Sequence, residues 1–516
     1  MEEARQVLPQ VIRPRCCPCE GEGSGGVSRR DFLAMAGGAA LVGLSVSALR
    51  AAEPEVAAGA SAPPRLPLVV KPILTYETPS RRNQTSWRSW GGIQTQQDAT
   101  EEVARIQGEL DKLRASADFP LTFLPVAAVR GGGEVAKLED LAKADAFIIY
   151  AAGSGAVDAV VKLGKPCIFF LRHKSGPVYL WYEIISPRFL RGHSDRLAQT
   201  AVDDTDVVVD KPEEMLWRLR ALCGLKNTMG ARIVTIGGAS GWAHGNAPAL
   251  AKDRFKLDIQ DVPYPELAKL IQAARADKAA SQLAKERAAA YLKGEGVKLE
   301  TKPEFVENCF LLDHVFRAIM ARFETRHITI NACMGTIMPI AETTACLTLS
   351  TLNDAGYNAF CESDFVVVPA GMLLNGISGL PTFLNDPTYP HHNIITIAHC
   401  TGPRKNDGKV LDPVRLMTHF ESDYGAAPKV EMRKGQKVTN ILPDFEAKRW
   451  VGLGAEIVDA PFLQICRCQI DVQFKPDAQL VAERMPGFHW MTGYGDYRRE
   501  LGYALRRTTI KWEDLG

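Results

Sequence analysis

From residue 67 onward the apolar positions come in short unbroken runs separated by amphipathic stretches. "PLVVKPILTY", "PLTFLPVAAV", "DAFIIYAAGS" and "PCIFFLR" are continuous apolar segments of strand length, the pattern of parallel strands covered on both faces. Between them, "ATEEVARIQGELDKLRA" and "VAKLEDLAKA" have helical spacing, with Val103, Ile106 and Leu110 making one apolar stripe. Strands alternating with helices predict a doubly wound α/β domain over residues 67–225. A second unit of this kind, residues 226–364, opens with "RIVTIGGASGWAHG", a strand entering a Gly-rich turn. It continues through "AKLIQAARADKAASQLAKERAAAYL", read as one long Ala-rich helix, to "HITINAC", the next strand. The loop "GGASG" matches neither dinucleotide nor P-loop spacing, so it is expected to be a tight structural turn.

Beyond Phe365 the chain becomes β-rich and is punctuated by Pro and Gly. In "LQICRCQIDVQF", Cys466, Cys468, Ile470, Val472 and Phe474 alternate with Arg467, Gln469, Asp471 and Gln473, the period of a half-buried strand. Residues 365–516 are therefore expected to form a mainly antiparallel third domain. The predicted fold class is α/β: two Rossmann-like doubly wound α/β domains followed by a mainly antiparallel β C-terminal domain.

Composition narrows the picture. A length of 516 residues exceeds one core and fits about three domains. With 46% apolar and 23% charged residues the chain is of ordinary globular composition. A net charge of +1 gives no support to nucleic-acid binding, which needs a concentrated basic face.

The N-terminus adds a location. Ser28, Arg29, Arg30, Asp31, Phe32 and Leu33 precede an uncharged run ending at Leu49. This resembles a twin-arginine export signal, which implies the twin-arginine translocase as a partner and a periplasmic or extracytoplasmic destination. Residues 1–51 are read as a signal peptide cleaved near Ala51 or Ala52, and the Ala/Pro/Ser-rich residues 52–66 as a linker. Of the 12 cysteines, Cys16, Cys17 and Cys19 fall in the leader. The others, scattered through apolar surroundings, are expected to be buried reduced thiols.

The chemistry concentrates near Gly379 to Pro403, "GLPTFLNDPTYPHHNIITIAHCTGP", an apolar segment carrying an aspartate and three histidines. Such groups are costly to bury unless paired, solvated or bound to a metal. Upstream, the short strand "YNAF" leads to Glu362 and Asp364; "PTFLND" ends in Asp386 and "NIITIAHC" delivers His399. Three successive strands thus present acids or an imidazole near their C-terminal tips, where open α/β sheets place ligand sites. "PGFHW" sets His489 in a later turn. Two carboxylates with one or two imidazoles suit Mn²⁺, Mg²⁺ or a similar divalent ion, because no thiolate at suitable spacing joins them. Cys400 is expected to face away from His399 on a regular strand. His391 and His392 read as exposed loop residues, and Glu342 as a carboxylate at a helix N-terminus. Trp87 and Trp90, beside "WGGIQT", are candidates for a sugar-stacking wall.

"CESDF", "GLPTFLNDP", "IAHCTGP" and "GFHW" resemble, in order, the signatures of the L-fucose isomerase and L-arabinose isomerase superfamily, over residues 300–516. The resemblance implies a Mn²⁺-dependent ketol isomerase that works through a cis-enediol intermediate on a small fucose- or arabinose-like sugar. Mn²⁺ could be replaced by Mg²⁺ or Co²⁺. Glu362 takes the place of the metal-binding catalytic glutamate and Asp386 that of the second acid. His489 is the C-terminal histidine ligand, His399 matches an additional histidine, and Asp364 and Trp90 are substrate-contact candidates. Trimers or hexamers are implied. Two acid/base groups must flank C1 and C2 of the sugar, and Glu362 with Asp386 is the expected pair. The rival expectation is an exported, non-catalytic carbohydrate-binding protein that keeps this fold, with a metal-dependent hydrolase a distant third.

Overall fold

The computed structural model describes residues 62–196 and 202–516. The export signal and the linker before Ala62 therefore lie outside the described residues. Among the described residues no helix is long and apolar enough to cross a membrane.

The first six strands are β1 (Leu68–Thr75), β2 (Leu121–Phe123), β3 (Ala127–Val129), β4 (Ala146–Ala151), β5 (Cys167–Leu171) and β6 (Val207–Val209). They form one parallel sheet in the order β2-β1-β4-β5-β6, with β3 also on β1. Every residue of β4 and β5 is buried, which is why their apolar runs do not alternate. "PLTFLPVAAV" is not one strand: β2 and β3 pair separately with β1, on either side of Pro125, whose missing N–H cannot extend the ladder. The helix Gln96–Ser116 starts from a capping box between Thr95 and Asp98 and buries Ala99, Glu102, Ile106, Leu110 and Leu113. "VAKLEDLAKA" forms no continuous helix, only the ends of short turns at Gly132–Val135 and Leu141–Lys143. Asp140, in its middle, is taken up by the buried ammonium of Lys71 at 2.7 Å.

A second parallel sheet follows, made of β7 (Arg232–Ile236) and β8 (Asp258–Val262), then, after β9 (Val297–Leu299), of β10 (His327–Ile330) and β11 (Asn358–Phe360). Its order is β11-β10-β7-β8. The expected long Ala-rich helix is two helices, Tyr264–Ala276 and Lys278–Leu292. Asp277 leaves helical geometry with ψ 113° and its carboxylate accepts from the N–H groups of Ala279 and Ala280, capping the second helix.

The helix Val368–Ser378 comes next. Its sequence is apolar nearly all round and it is buried from Val368 to Ile377, packing against the helix Glu214–Lys226 and joining the first unit to the last. Nine strands complete the chain: β12 (Thr382–Pro387), β13 (Ile394–His399), β14 (Val414–His419), β15 (Tyr424–Val430), β16 (Lys437–Pro443), β17 (Arg449–Asp459), β18 (Cys468–Phe474), β19 (Trp490–Tyr494) and β20 (Lys511–Asp514). Strands β16-β19-β12-β13-β18-β17 pair antiparallel throughout, and β17 returns to β16, so the sheet closes into a barrel with β20 added parallel to β17. β14 and β15 leave the barrel and pair antiparallel with each other, and β14 pairs in parallel with β9 of the second unit. Along β18 the apolar side alternates as expected, yet Gln469 is fully buried. Its amide is satisfied by the backbone of Leu463 and Cys466.

Candidate metal centre

The chain order reverses between β7 and β10, and the C-terminal edge of the second sheet at this point is where α/β sheets hold ligands. Glu362 lies just beyond β11 with φ +66°, followed by Ser363 at φ +48°. Two successive non-glycine residues in the left-handed region cost about 1–3 kcal/mol each, so the surroundings must hold the turn in place. They do so through backbone pairing. Ser240 N–H donates to Ser363 O at 3.1 Å and Phe365 N–H to Ser240 O at 3.0 Å, while Ser363 N–H donates to the Thr329 hydroxyl at 3.1 Å. The "GGASG" loop is thus a structural turn that clamps the site. Gly237, at φ +74°, could not carry a Cβ, which would stand 2.3 Å from the Tyr264 ring.

Asp386 and His399 come from the hairpin β12–β13. The two strands are antiparallel, not parallel neighbours presenting successive tips, and they pair at Asp386–Ala398 and Pro387–Ile397 only. That register brings the acid beside the histidine. His489 stands immediately before β19, which pairs with β12 on its other edge.

Glu362, His399 and His489 bring one donor atom each within 4.8 Å of the others, and Asp386 joins them through His489. His489 Nε2 lies 3.1 Å from Glu362 Oε2 and 3.1 Å from Asp386 Oδ1, and His399 Nε2 lies 3.5 Å from Glu362 Oε1. These contacts are not hydrogen bonds: His489 Nε2, His399 Nε2 and Asp386 Oδ1 are all buried without a hydrogen-bond partner. Buried polar atoms with no partner are rare and call for an explanation. A shared cation provides one. Two donors at right angles about an ion roughly 2.0–2.2 Å away stand about 3 Å apart, the separation found here. The residues present therefore fit a divalent ion of the Mn²⁺ or Mg²⁺ class.

Behind this set, His489 Nδ1–H donates to Asp364 Oδ2 at 2.6 Å, and Asp364 Oδ1 accepts the N–H of Val366 at 3.0 Å. Asp364 is fully buried, so it fixes the ring and tautomer of His489 and aims Nε2 at the carboxylates instead of meeting substrate. Burial opposes charge on Glu362, but the imidazoles of His399 and His489 hold its carboxyl well below the usual range. Burial likewise works against a charged His399, and Glu362 and Asp386 overcome it and push the imidazole up to about 9. The imidazoles form the floor, fully buried. The remaining exposure is on the acids, 10% for the Glu362 side chain and 16% for Asp386.

One site residue escaped sequence reasoning. Trp242, directly after the glycine turn of β7, stacks on Phe488 at 4.2 Å between centroids and meets the His489 ring edge-on at 5.9 Å. Its place beyond a parallel strand's C-terminal end was the signal available.

Cysteines are also nearer than expected. β13 ends at His399, alternation stops, and Cys400 Sγ turns back to 3.6 Å from His399 Nδ1. Cys361, next to Glu362, lies in the same group, and its sulfur is 3.5 Å from that of Cys333. The nine described cysteines are all free and buried, as the sequence reading had it.

Trp90 is not brought to the four ligands. It is 77% exposed and lines a separate cavity of about 190 Å³ at the C-terminal edge of the first sheet, with Glu77, Ser154, Trp181 and Arg188. Glu342 is not at a helix N-terminus but caps the C-terminal end of Met338–Ala341 and pairs with Arg275 at 2.5 Å. His391 and His392 are exposed on the hairpin tip.

No protein-family model matches the chain, and no curated protein matches it.

Proposed function

We propose that the protein is a metal-dependent aldose–ketose isomerase acting on a small fucose- or arabinose-like sugar. It would belong to the L-fucose and L-arabinose isomerase superfamily, with the two parallel sheets as its two Rossmann-like doubly wound units. The observation that carries the reading is the close grouping of Glu362, His399 and His489, with Asp386 Oδ1 3.1 Å from His489 Nε2 and with Nε2 of both imidazoles and Oδ1 of Asp386 buried and without hydrogen bonds. Glu362, Asp386, His489 and His399 would hold the divalent ion, Mn²⁺ in the first instance. When bound, such an ion supplies Lewis-acid stabilisation of negative charge developing on the sugar's carbonyl and neighbouring hydroxyl oxygens.

The rest is the work of this chain's side chains. Glu362 and Asp386 face each other across one imidazole nitrogen, so a proton taken from C2 by one carboxylate can be returned at C1 from the other side of the site. Glu362 is held ionised by its two imidazole neighbours and is available as the base at neutral pH. Asp364 keeps His489 from swinging into the substrate space. The twin-arginine motif at Ser28 to Leu33 supports export through the twin-arginine translocase to an extracytoplasmic compartment, and a trimeric or hexameric assembly accompanies the family reading.

The test is metal content with turnover. The full chain, purified without chelators, is assayed for bound Mn²⁺ and for isomerisation of L-fucose, L-arabinose and D-arabinose, with Glu362→Gln alongside. Metal-dependent turnover that disappears in the variant is expected. Bound metal without turnover on any aldose transfers the reading to a non-catalytic sugar-binding protein, and absence of bound metal overturns the site.

A further inference from the structure

Beside the carboxylate pocket lies a second set of donors, of different chemistry. Cys346 opens the helix Cys346–Asp354, Cys400 follows β13, and His419 ends β14. All three are buried, at 3%, 3% and 1% exposure, and one donor atom from each lies within 4.8 Å of the others. These segments are far apart in sequence, and β14 has left the barrel to pair with β9. The imidazole of His419 has the Ser422 hydroxyl 3.5 Å from Nδ1. Cys400 also belongs to a second close group with Cys361 and His399, and His399 presents Nε2 to Glu362 at 3.5 Å and Nδ1, at 3.6 Å, to the Cys400 sulfur.

We propose that Cys346, Cys400 and His419 form a second metal site, distinct from the carboxylate centre, that takes a borderline-to-soft cation of the zinc class. The chemistry separates the two sites. Two thiolates and one neutral imidazole are a zinc or copper(I) donor set, whereas two carboxylates and two imidazoles favour harder ions. Three protein donors also match a zinc site that keeps a fourth position open. Binding there releases the thiol protons to solvent and changes no oxidation state. An ion in this site would lie behind His399 and brace it from the sulfur side, as outer partners orient a metal ligand.

The test uses cobalt(II) as a spectroscopic stand-in. The full chain is reduced, stripped of metal, and titrated with Co²⁺ under argon. Wild type is expected to bind two ions per chain and to develop a near-ultraviolet thiolate-to-cobalt charge-transfer band with intense tetrahedral visible bands. The double variant Cys346→Ser/Cys400→Ser is expected to bind one ion and lose the charge-transfer band, while Glu362→Gln keeps it. The last variant separates this site from the proposed isomerase centre: loss of isomerase activity leaves the band untouched. If the double variant does not fold, the wild-type spectrum decides. Absence of the thiolate-to-cobalt band in wild type overturns the proposal, as does a band that survives in the folded double variant; one ion per chain with the band overturns the carboxylate centre instead.

Discussion

Replacing Asp364 with asparagine tests whether the site is built to hold an ion. The native carboxylate makes two acceptor contacts from full burial, one to Nδ1–H of His489 at 2.6 Å and one to the N–H of Val366 at 3.0 Å. An amide of the same shape has only one oxygen. If that oxygen stays on His489, the amide NH₂ faces the Val366 N–H and a buried donor loses its partner, at about 1–3 kcal/mol of stability. If it turns to Val366, the NH₂ faces Nδ1 and forces the other His489 tautomer, whose Nε2–H points into the ligand set and cannot coordinate. Both arrangements also replace a charge-assisted bond by a weaker neutral one. Removing an outer carboxylate from a metal-bound histidine typically costs about 10–100-fold in affinity, or about 1.4–2.8 kcal/mol. Calorimetric titration of chelator-stripped Asp364→Asn with Mn²⁺ is expected to show that loss, and unfolding without metal a parallel decrease in stability. A variant that is destabilised but binds Mn²⁺ within about threefold of wild type would refute the reasoning and leave Asp364 a purely structural residue.

Two further outcomes follow from buried polar groups away from the site. His327 is buried in the second sheet, with Asn358 Nδ2 donating to its Nδ1 at 2.9 Å, and burial together with Arg326 pushes it down to about 3. Its folded pKa is below the unfolded value of about 6.5, so the unfolded chain binds the extra proton first; the stability due to a neutral His327 is complete above about pH 6.5 and is lost as pH falls toward 3. The upper bound is about 4–5 kcal/mol, and the difference in chemical denaturation between wild type and His327→Gln should widen from pH 4 to pH 7; equal slopes would sink the assignment. Glu102 is buried in the helix Gln96–Ser116 and meets Arg172 Nε and the Tyr179 hydroxyl, each at 2.5 Å. Glu102→Gln strands a buried guanidinium that keeps Glu109 at 2.7 Å, so the cost should fall at the low end of the 3–5 kcal/mol for a broken buried pair; a loss under about 1 kcal/mol in urea unfolding would contradict it.

Much of the fold was legible because burial on both faces writes itself into local sequence. β4 and β5 appear as unbroken apolar runs, whereas the helix Val368–Ser378 was missed: the chain was expected to be β-rich from Phe365, and a buried helix that is apolar nearly all round shows no helical period. Misreadings arose where a single residue outweighs the average of its neighbours. Asp277 divides a stretch of excellent helix formers by capping its second half, and Pro125 splits a strand. Among the site residues, Glu362, Asp386 and His399 could be located near strand ends because such ends interrupt an apolar period with a charge. Asp364 was visible as an acid but not as the partner of His489, which is 125 positions away.

The sequence by itself determined the covered strands β1, β4 and β5 and the helix Gln96–Ser116, that the C-terminal third is β-rich, and which acids and imidazoles stand where a strand stops. These depend on periodicity over a few residues, and the energy that enforces it is local burial. Only the tertiary structure decided that β12 lies between β13 and β19, that β17 returns to β16 to close a barrel, and that β14 leaves to pair with β9. Those pairings set Asp386 opposite Ala398, carried His489 to Asp364 and turned scattered cysteines into neighbours of His399. Strand partners are chosen by the packing of the whole chain, because one register exchanges hydrogen bonds as readily as another until side chains from distant segments must share a core.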